Sequence, residues 1–93
     1  MHAIITTQYR DLYYGEIVDG SDADIASTKA VRVRACRHIP YWHGPTGGLT
    51  SLAVEGPDNQ SRIGAPCDAL LTGVAHVLTV TDEARARFDA VEP

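Results

Sequence analysis

One stretch of the chain concentrates the side chains able to do chemistry. It is Arg37-His38-Ile39-Pro40-Tyr41-Trp42-His43-Gly44, followed at once by Pro45-Thr46-Gly47-Gly48 and then Leu49-Thr50. It holds the only tryptophan, one of four tyrosines and two of four histidines. Arginine grips phosphate or carboxylate through a planar fork and also stacks on rings. Tyrosine and tryptophan offer a flat platform worth ~1–3 kcal/mol per stacked base. A glycine-rich loop opening a helix presents backbone N–H groups to an anion. Together with Arg34 just upstream, these residues suit a compact anionic ligand that carries a flat ring. The expected contacts are Arg34, Arg37, His38, Tyr41, Trp42, Gly47, Gly48 and Thr50. Each has a plainer role open to it: Trp42 as a core anchor, the glycines as a simple chain reversal.

Other chemistries fit less well. Gly44 to Ser51 lacks the lysine of a phosphate-cradling P-loop, and no Ser–His–Asp order, paired carboxylates or His-Glu-x-x-His helix can be placed. Cys36 and His38, two apart on a strand, make a poor thiolate pair. With His43 they form only a fragment of a zinc site, which needs about four ligands. The reading is a non-enzymatic protein with no metal and no cofactor. Cys36 and Cys67 are far apart in sequence and without motif spacing, so they are expected to be free, dispensable thiols.

The elements that must position these residues are mostly strands. Ala3–Gln8 and Leu12–Val18 read as two strands joined by a hairpin around Tyr9-Arg10-Asp11, with Asp19-Gly20-Ser21-Asp22 as the next turn. Residues 23–28 read as a loop or one helical turn. Lys29–Arg37 alternates, placing Val31, Val33 and Ala35 on one side and Arg32, Arg34 and Cys36 on the other. Pro40 ends that ladder and leaves Tyr41-Trp42 at a strand end or edge. Leu49–Val54 has the spacing of a short amphipathic helix stopped by Gly56-Pro57. Arg62–Ala65 and Ala69–Thr81 have strand character, the second able to bend at Gly73. Thr81 caps a closing helix whose Ala84, Phe88 and Val91 share a face. The expected fold is α+β: one β-rich domain over residues 1–93, a small, mostly antiparallel sheet or partly rolled barrel with one short internal helix and a C-terminal helix.

Charge narrows the partners. The chain carries a net −4, which disfavours nucleic acid as a ligand. Yet Ile25 to Val54 contains no acid and four bases, Lys29, Arg32, Arg34 and Arg37, so the remainder stands at −8. Such an island suits a small anion better than a long polyanion; the plainer role equally open to strand arginines is to solvate an exposed face. No apolar run approaches the ~18–20 residues of a membrane span, and the N-terminus lacks a basic, cleavable signal, so the chain is expected in the cytosol. A chain of 93 residues buries only about two-thirds of its unfolded surface, so a homo-oligomer, dimer or tetramer, is expected to cover more.

The run from Ala35 to Gly44, then Leu49 to Gly56, resembles an uncharacterised family of small phage and prophage proteins. That family has an Ala-Arg-x-Ile-x-Tyr-Trp-x-Gly segment, a Leu-x-x-Leu-Ala-x-x-Gly helix and a late apolar strand entering an acidic helix start. Here the matching positions are Arg37, Ile39, Tyr41, Trp42, Gly44, Leu49, Leu52, Ala53, Gly56 and Val77 through Glu83. Pro40 stands where the family has an aromatic residue, which thins the stacking surface. By a looser analogy of size and type, such proteins are similar to phage sponges that capture cyclic-nucleotide immune signals. The analogy implies a host-cytoplasmic counter-defence protein that sequesters a nucleotide-like signal. A protein–protein adaptor or minor virion component using Tyr41 and Trp42 as hot spots is the alternative.

Overall fold

The computed structural model describes residues 1–93. Five strands, β1 (His2–Thr7), β2 (Leu12–Ile17), β3 (Ala30–His38), β4 (Cys67–Thr72) and β5 (Val74–Thr79), form one antiparallel sheet in the order β4-β3-β2-β1-β5. Three helices accompany them: α1 (Asp22–Thr28), α2 (Leu49–Glu55) and the C-terminal α3 (Asp82–Ala90). The α+β class with a closing helix is as the residue patterns predict. No helix is long and apolar enough to cross a membrane.

The segment left open as loop or helical turn is a helix, so there are two short internal helices and not one. Ser21 accepts a hydrogen bond from Asp24 N, and the Asp24 carboxylate accepts one from Ser21 N. This reciprocal box satisfies two of the N–H groups that a helix start leaves unpaired. Two acids in the first turn favour the same start. Arg62–Ala65, by contrast, forms no strand. Its backbone is tied alongside the end of β3 by a single bridge, Tyr41 to Arg62, and by a hydrogen bond from Gly64 N to His38 O.

Both faces of the sheet are covered. One carries Ala3, Ile5, Ile17, Val31, Val33, Cys36, Leu71 and Val74 beneath Ile25 of α1. The other carries Ile4, Tyr14 and Ile39 beneath Leu52 and Ala53 of α2 and Phe88 of α3. This accounts for Ala3-Ile4-Ile5, three consecutive residues with no exposed surface: successive side chains enter opposite cores. Tyr14 stacks on Phe88 with centroids 4.3 Å apart and donates its hydroxyl to Asp89 at 3.0 Å. Burial, then that hydrogen bond, pushes the phenol well above its ordinary value.

The long late strand does bend at Gly73, whose φ of 65° suits glycine. Its two halves stand at opposite ends of the strand order, β4 against β3 and β5 against β1. At the bend, Gln8 N donates to Gly73 O and Val74 N donates to Lys29 O, so β1 and β3 converge on one point. The sheet is curled accordingly.

Alternation in β3 fails at one place, and the failure redirects the candidate site. Arg34 and Ala35 together stand opposite Asp68, the register shifting between Val33 and Cys36. Ala35 takes φ 51°, and its N–H donates to the Asp68 carboxylate at 3.1 Å. This is a β-bulge, and one extra residue reverses every later side chain. Cys36 therefore joins Val31 and Val33 in the core, while Ala35 is exposed, which corrects the simple alternation. Arg37 is sent to the opposite face.

Candidate functional site

Arg37 does not face solvent; it is 6% exposed. Its Nε donates to Gly64 O at 2.7 Å and its Nη1 to Phe88 O at 2.7 Å. Its Nη2 donates to Ile63 O at 3.3 Å and to Val91 O at 2.5 Å. The guanidinium thus clamps the end of α3 and the 63–64 segment onto β3. The carbonyls at the helix C-terminus, negative through the helix dipole, take the place of a carboxylate partner. This corrects the expectation that Arg37 offers its fork to a ligand anion, because nearly all its donors are consumed inside the fold.

Arg34 is exposed and faces Glu16 across β2 at 3.4 Å. Both border a hollow of about 300 Å³ that is also lined by Asp89 and Glu92. Three carboxylates against one available guanidinium make this a poor place for an anion. Gly47, Gly48 and Thr50 are exposed in the loop before α2 and at its start. That helix has only seven residues, and its N-cap Gly48 has φ 84° and no side-chain cap. Two turns carry little dipole, and neither glycine nor Thr50 borders a hollow with the other expected contacts. The basic island is therefore divided: Arg37 is inside the fold, Arg34 is among acids, and Lys29 ends α1.

The remaining expected residues do converge. His38, Tyr41 and Trp42 line a cleft of about 450 Å³ together with Arg10, Asp11, Leu12, Ile39 and Pro40. Tyr41 is 49% exposed, while Trp42 is half-buried against the α2–α3 core, so it serves as anchor and wall at once. His38 packs on Tyr13 with ring centroids 5.2 Å apart. Ile39 N donates to Leu12 O, fixing the β3 exit against the start of β2.

Arg10 is the contributor that sequence reasoning missed. It sits in the β1–β2 turn, where Arg10 N donates to Thr7 O and Thr7 N to Asp11 O. Its φ is 69°, a left-handed conformation in which glycine or asparagine is the usual occupant. A signal was available: in a β1-β2-β3 meander the β1–β2 turn must lie beside the end of β3, as the Tyr13–His38 pairing requires. Arg10 takes part in none of the ion pairs, and it lines the cleft next to the one carboxylate there, Asp11.

His43 lies outside the cleft. Its Nδ1 meets the Asp58 carboxylate at 2.5 Å, which holds Asp58 below the usual carboxylate range. The Ser61 hydroxyl accepts from His43 N and donates to His43 O. Ser61 thus engages the backbone and not the ring, so these three residues brace a loop without forming a nucleophile triad.

The site thus reduces to one aromatic-walled cleft at a strand end of a small α+β fold, a curled five-stranded antiparallel sheet with helices on both faces. The chain belongs to the DUF6948 family, a domain of unknown function, which it matches over residues 1–88. No curated protein and no solved structure matches it.

Proposed function

We propose that this protein binds, without chemically altering, a small anionic ligand that carries a flat ring. The observation that supports the reading is the cleft where Arg10 and His38 stand beside Tyr41 and Trp42. A cation and a ring face, held by rigid strand ends, match the two halves of a nucleotide-like molecule. In this reading the protein is a phage-encoded sponge in the bacterial cytoplasm that sequesters a cyclic-nucleotide signal. Assembly as a dimer or tetramer belongs to the same reading. The outer edge of β4 is unpaired, and Leu70, 54% exposed, lies near Val18, 42% exposed. Light scattering is then expected to give two or four times the 10.0 kDa chain mass; a clean single-chain mass at micromolar concentration would remove assembly from the reading.

The binding test is a thermal-shift panel of cyclic di- and trinucleotides, since a ligand at a hundredfold excess over its Kd stabilises by ~2.7 kcal/mol. Arg10→Gly separates function from fold. Glycine relieves the left-handed backbone, so the melting temperature of the free protein should hold or rise slightly. Affinity for the panel's best ligand should fall about tenfold, or ~1.4 kcal/mol, with the charge gone. Equal affinity in Arg10→Gly and Tyr41→Ala would place the ligand elsewhere. The adaptor reading is favoured by the exposure of Tyr41 alone, and it predicts an empty panel.

A further inference from the structure

Cys36 and Cys67, 31 positions apart in the chain, are direct cross-strand partners in the β3–β4 ladder. Directly opposed residues of an antiparallel pair have Cα atoms about 4.5–5.5 Å apart and side chains on the same face. That interval lies inside the ~4.4–6.8 Å that disulfides span. The bulge creates the juxtaposition. Had the Val33–Ala69 register simply continued, Ala35 would stand opposite Cys67, and Cys36 would stand opposite Pro66 with its side chain on the other face. The two thiols differ sharply in access: Cys36 is 3% exposed, whereas Cys67, the first residue of β4, is open to solvent.

We propose that Cys36 and Cys67 form a reversible thiol–disulfide site, oxidised by low-molecular-weight disulfides, in which Cys67 reacts first and Cys36 resolves. The Cys67 thiolate attacks one sulfur of the small disulfide. A protein–small-molecule mixed disulfide forms, and one small thiolate leaves. Cys36 then gives up its proton to that thiolate and attacks Cys67 Sγ, expelling the second small molecule as a thiolate, which takes up from solvent the proton that Cys67 released on ionising. Two protein thiols are oxidised and one small disulfide is reduced to two thiols; an excess of small thiol reverses both steps. Cys36 is suited only to the second step, because it is shut away from the reagent. Burial first, and the neighbouring Cys67 second, also push its thiol up to about 11. In the mixed disulfide the target sulfur is already beside it, so the attack is intramolecular. The closed loop then runs from residue 36 to 67 and brackets Tyr41, Trp42, α2 and the His43–Asp58 brace.

The test treats reduced, full-length protein with oxidised glutathione and follows intact mass, denatured thiol titration and melting temperature. The expected product is a chain two hydrogens lighter than the reduced form, without titratable thiols or glutathione adduct, and melting roughly 5–15 °C higher. Dithiothreitol should restore the starting values. Cys36→Ala, which keeps the site apolar, should stop at a stable glutathione adduct on Cys67. Cys67→Ala should react at least tenfold more slowly. A wild-type chain that halts at the adduct, or that cross-links to a second chain through Cys67, overturns the proposal. So does a Cys67→Ala chain that is oxidised as fast as the wild type. The wild-type product decides the matter even if a variant fails to fold.

Discussion

Arg37→Ala is expected to lower the melting temperature by roughly 15–30 °C, the largest single-residue effect in the molecule. Removing the guanidinium strands the carbonyls of Gly64, Ile63 and Val91 and leaves Phe88 O only the bond from Val91 N; of the four lost bonds, all but that to Gly64 are buried. Each unsatisfied buried acceptor costs ~1–3 kcal/mol, less where water can enter. A total of about 3–5 kcal/mol is expected, a large share of the ~5–15 kcal/mol that holds a domain together. Arg37→Lys keeps the charge but cannot fork to several carbonyls, so it should recover less than half of the loss. Thermal melting followed by circular dichroism reads both. A shift below ~4 °C for Arg37→Ala would mean that the clamp contributes under ~1 kcal/mol and that Arg37 is free for other work.

Gly15→Ala comes next, at about 3 kcal/mol. Gly15 lies opposite the β3 bulge, between the two registers of the β2–β3 pair. A Cβ there would stand 2.4 Å from Val33 Cγ1, 3.0 Å from Arg34 O and 3.1 Å from Cys36 Cα. Val33 is 1% exposed and cannot swing aside, and the other two contacts are backbone. Two partners of the clash can be told apart with a double mutant. Val33→Ala alone leaves a cavity, but in the Gly15→Ala background it removes the nearest contact. The pair should therefore destabilise by at least ~1 kcal/mol less than the sum of the singles. Additive effects in denaturant titrations would show that the backbone of the bulge, and not Val33, sets the cost.

Most elements were legible in the sequence because their signals are local; α1 and the 62–65 segment, the one left open and the other expected as a strand, are the exceptions. Thr81 with its acidic first turn marks α3, the Ala84–Phe88–Val91 spacing marks its buried face, and Gly73 marks the bend. The bulge was not legible. Arg34-Ala35-Cys36 contains no glycine, and the αL conformation of Ala35 is imposed by Asp68, 33 residues away. That one misread step carried Cys36 and Arg37 to the wrong faces and made a basic patch out of residues that the fold separates. His38, Tyr41 and Trp42 remained together because they follow one another at a strand exit, where no later register can disperse them. Arg10 and the Cys36–Cys67 pairing depend on which strands are neighbours, and strand order is a property of the assembled sheet.

The bend at Gly73 has a further consequence for how the chain is made. Both outer strands lie in residues 67–79, late in the sequence, yet they complete opposite flanks of a meander formed from residues 2–38. A chain emerging from the ribosome can pair β1, β2 and β3 long before either flank has its partner. At ~5–20 residues per second the chain from the end of β3 to the end of β5 takes roughly 2–8 seconds to be synthesised. For that interval two bare strand edges and the side chains of Ile4 and Tyr14, still without Phe88 of α3 over them, face the cell together. A product truncated before Cys67 would remain in that condition permanently, which makes such fragments candidates for chaperone capture or aggregation.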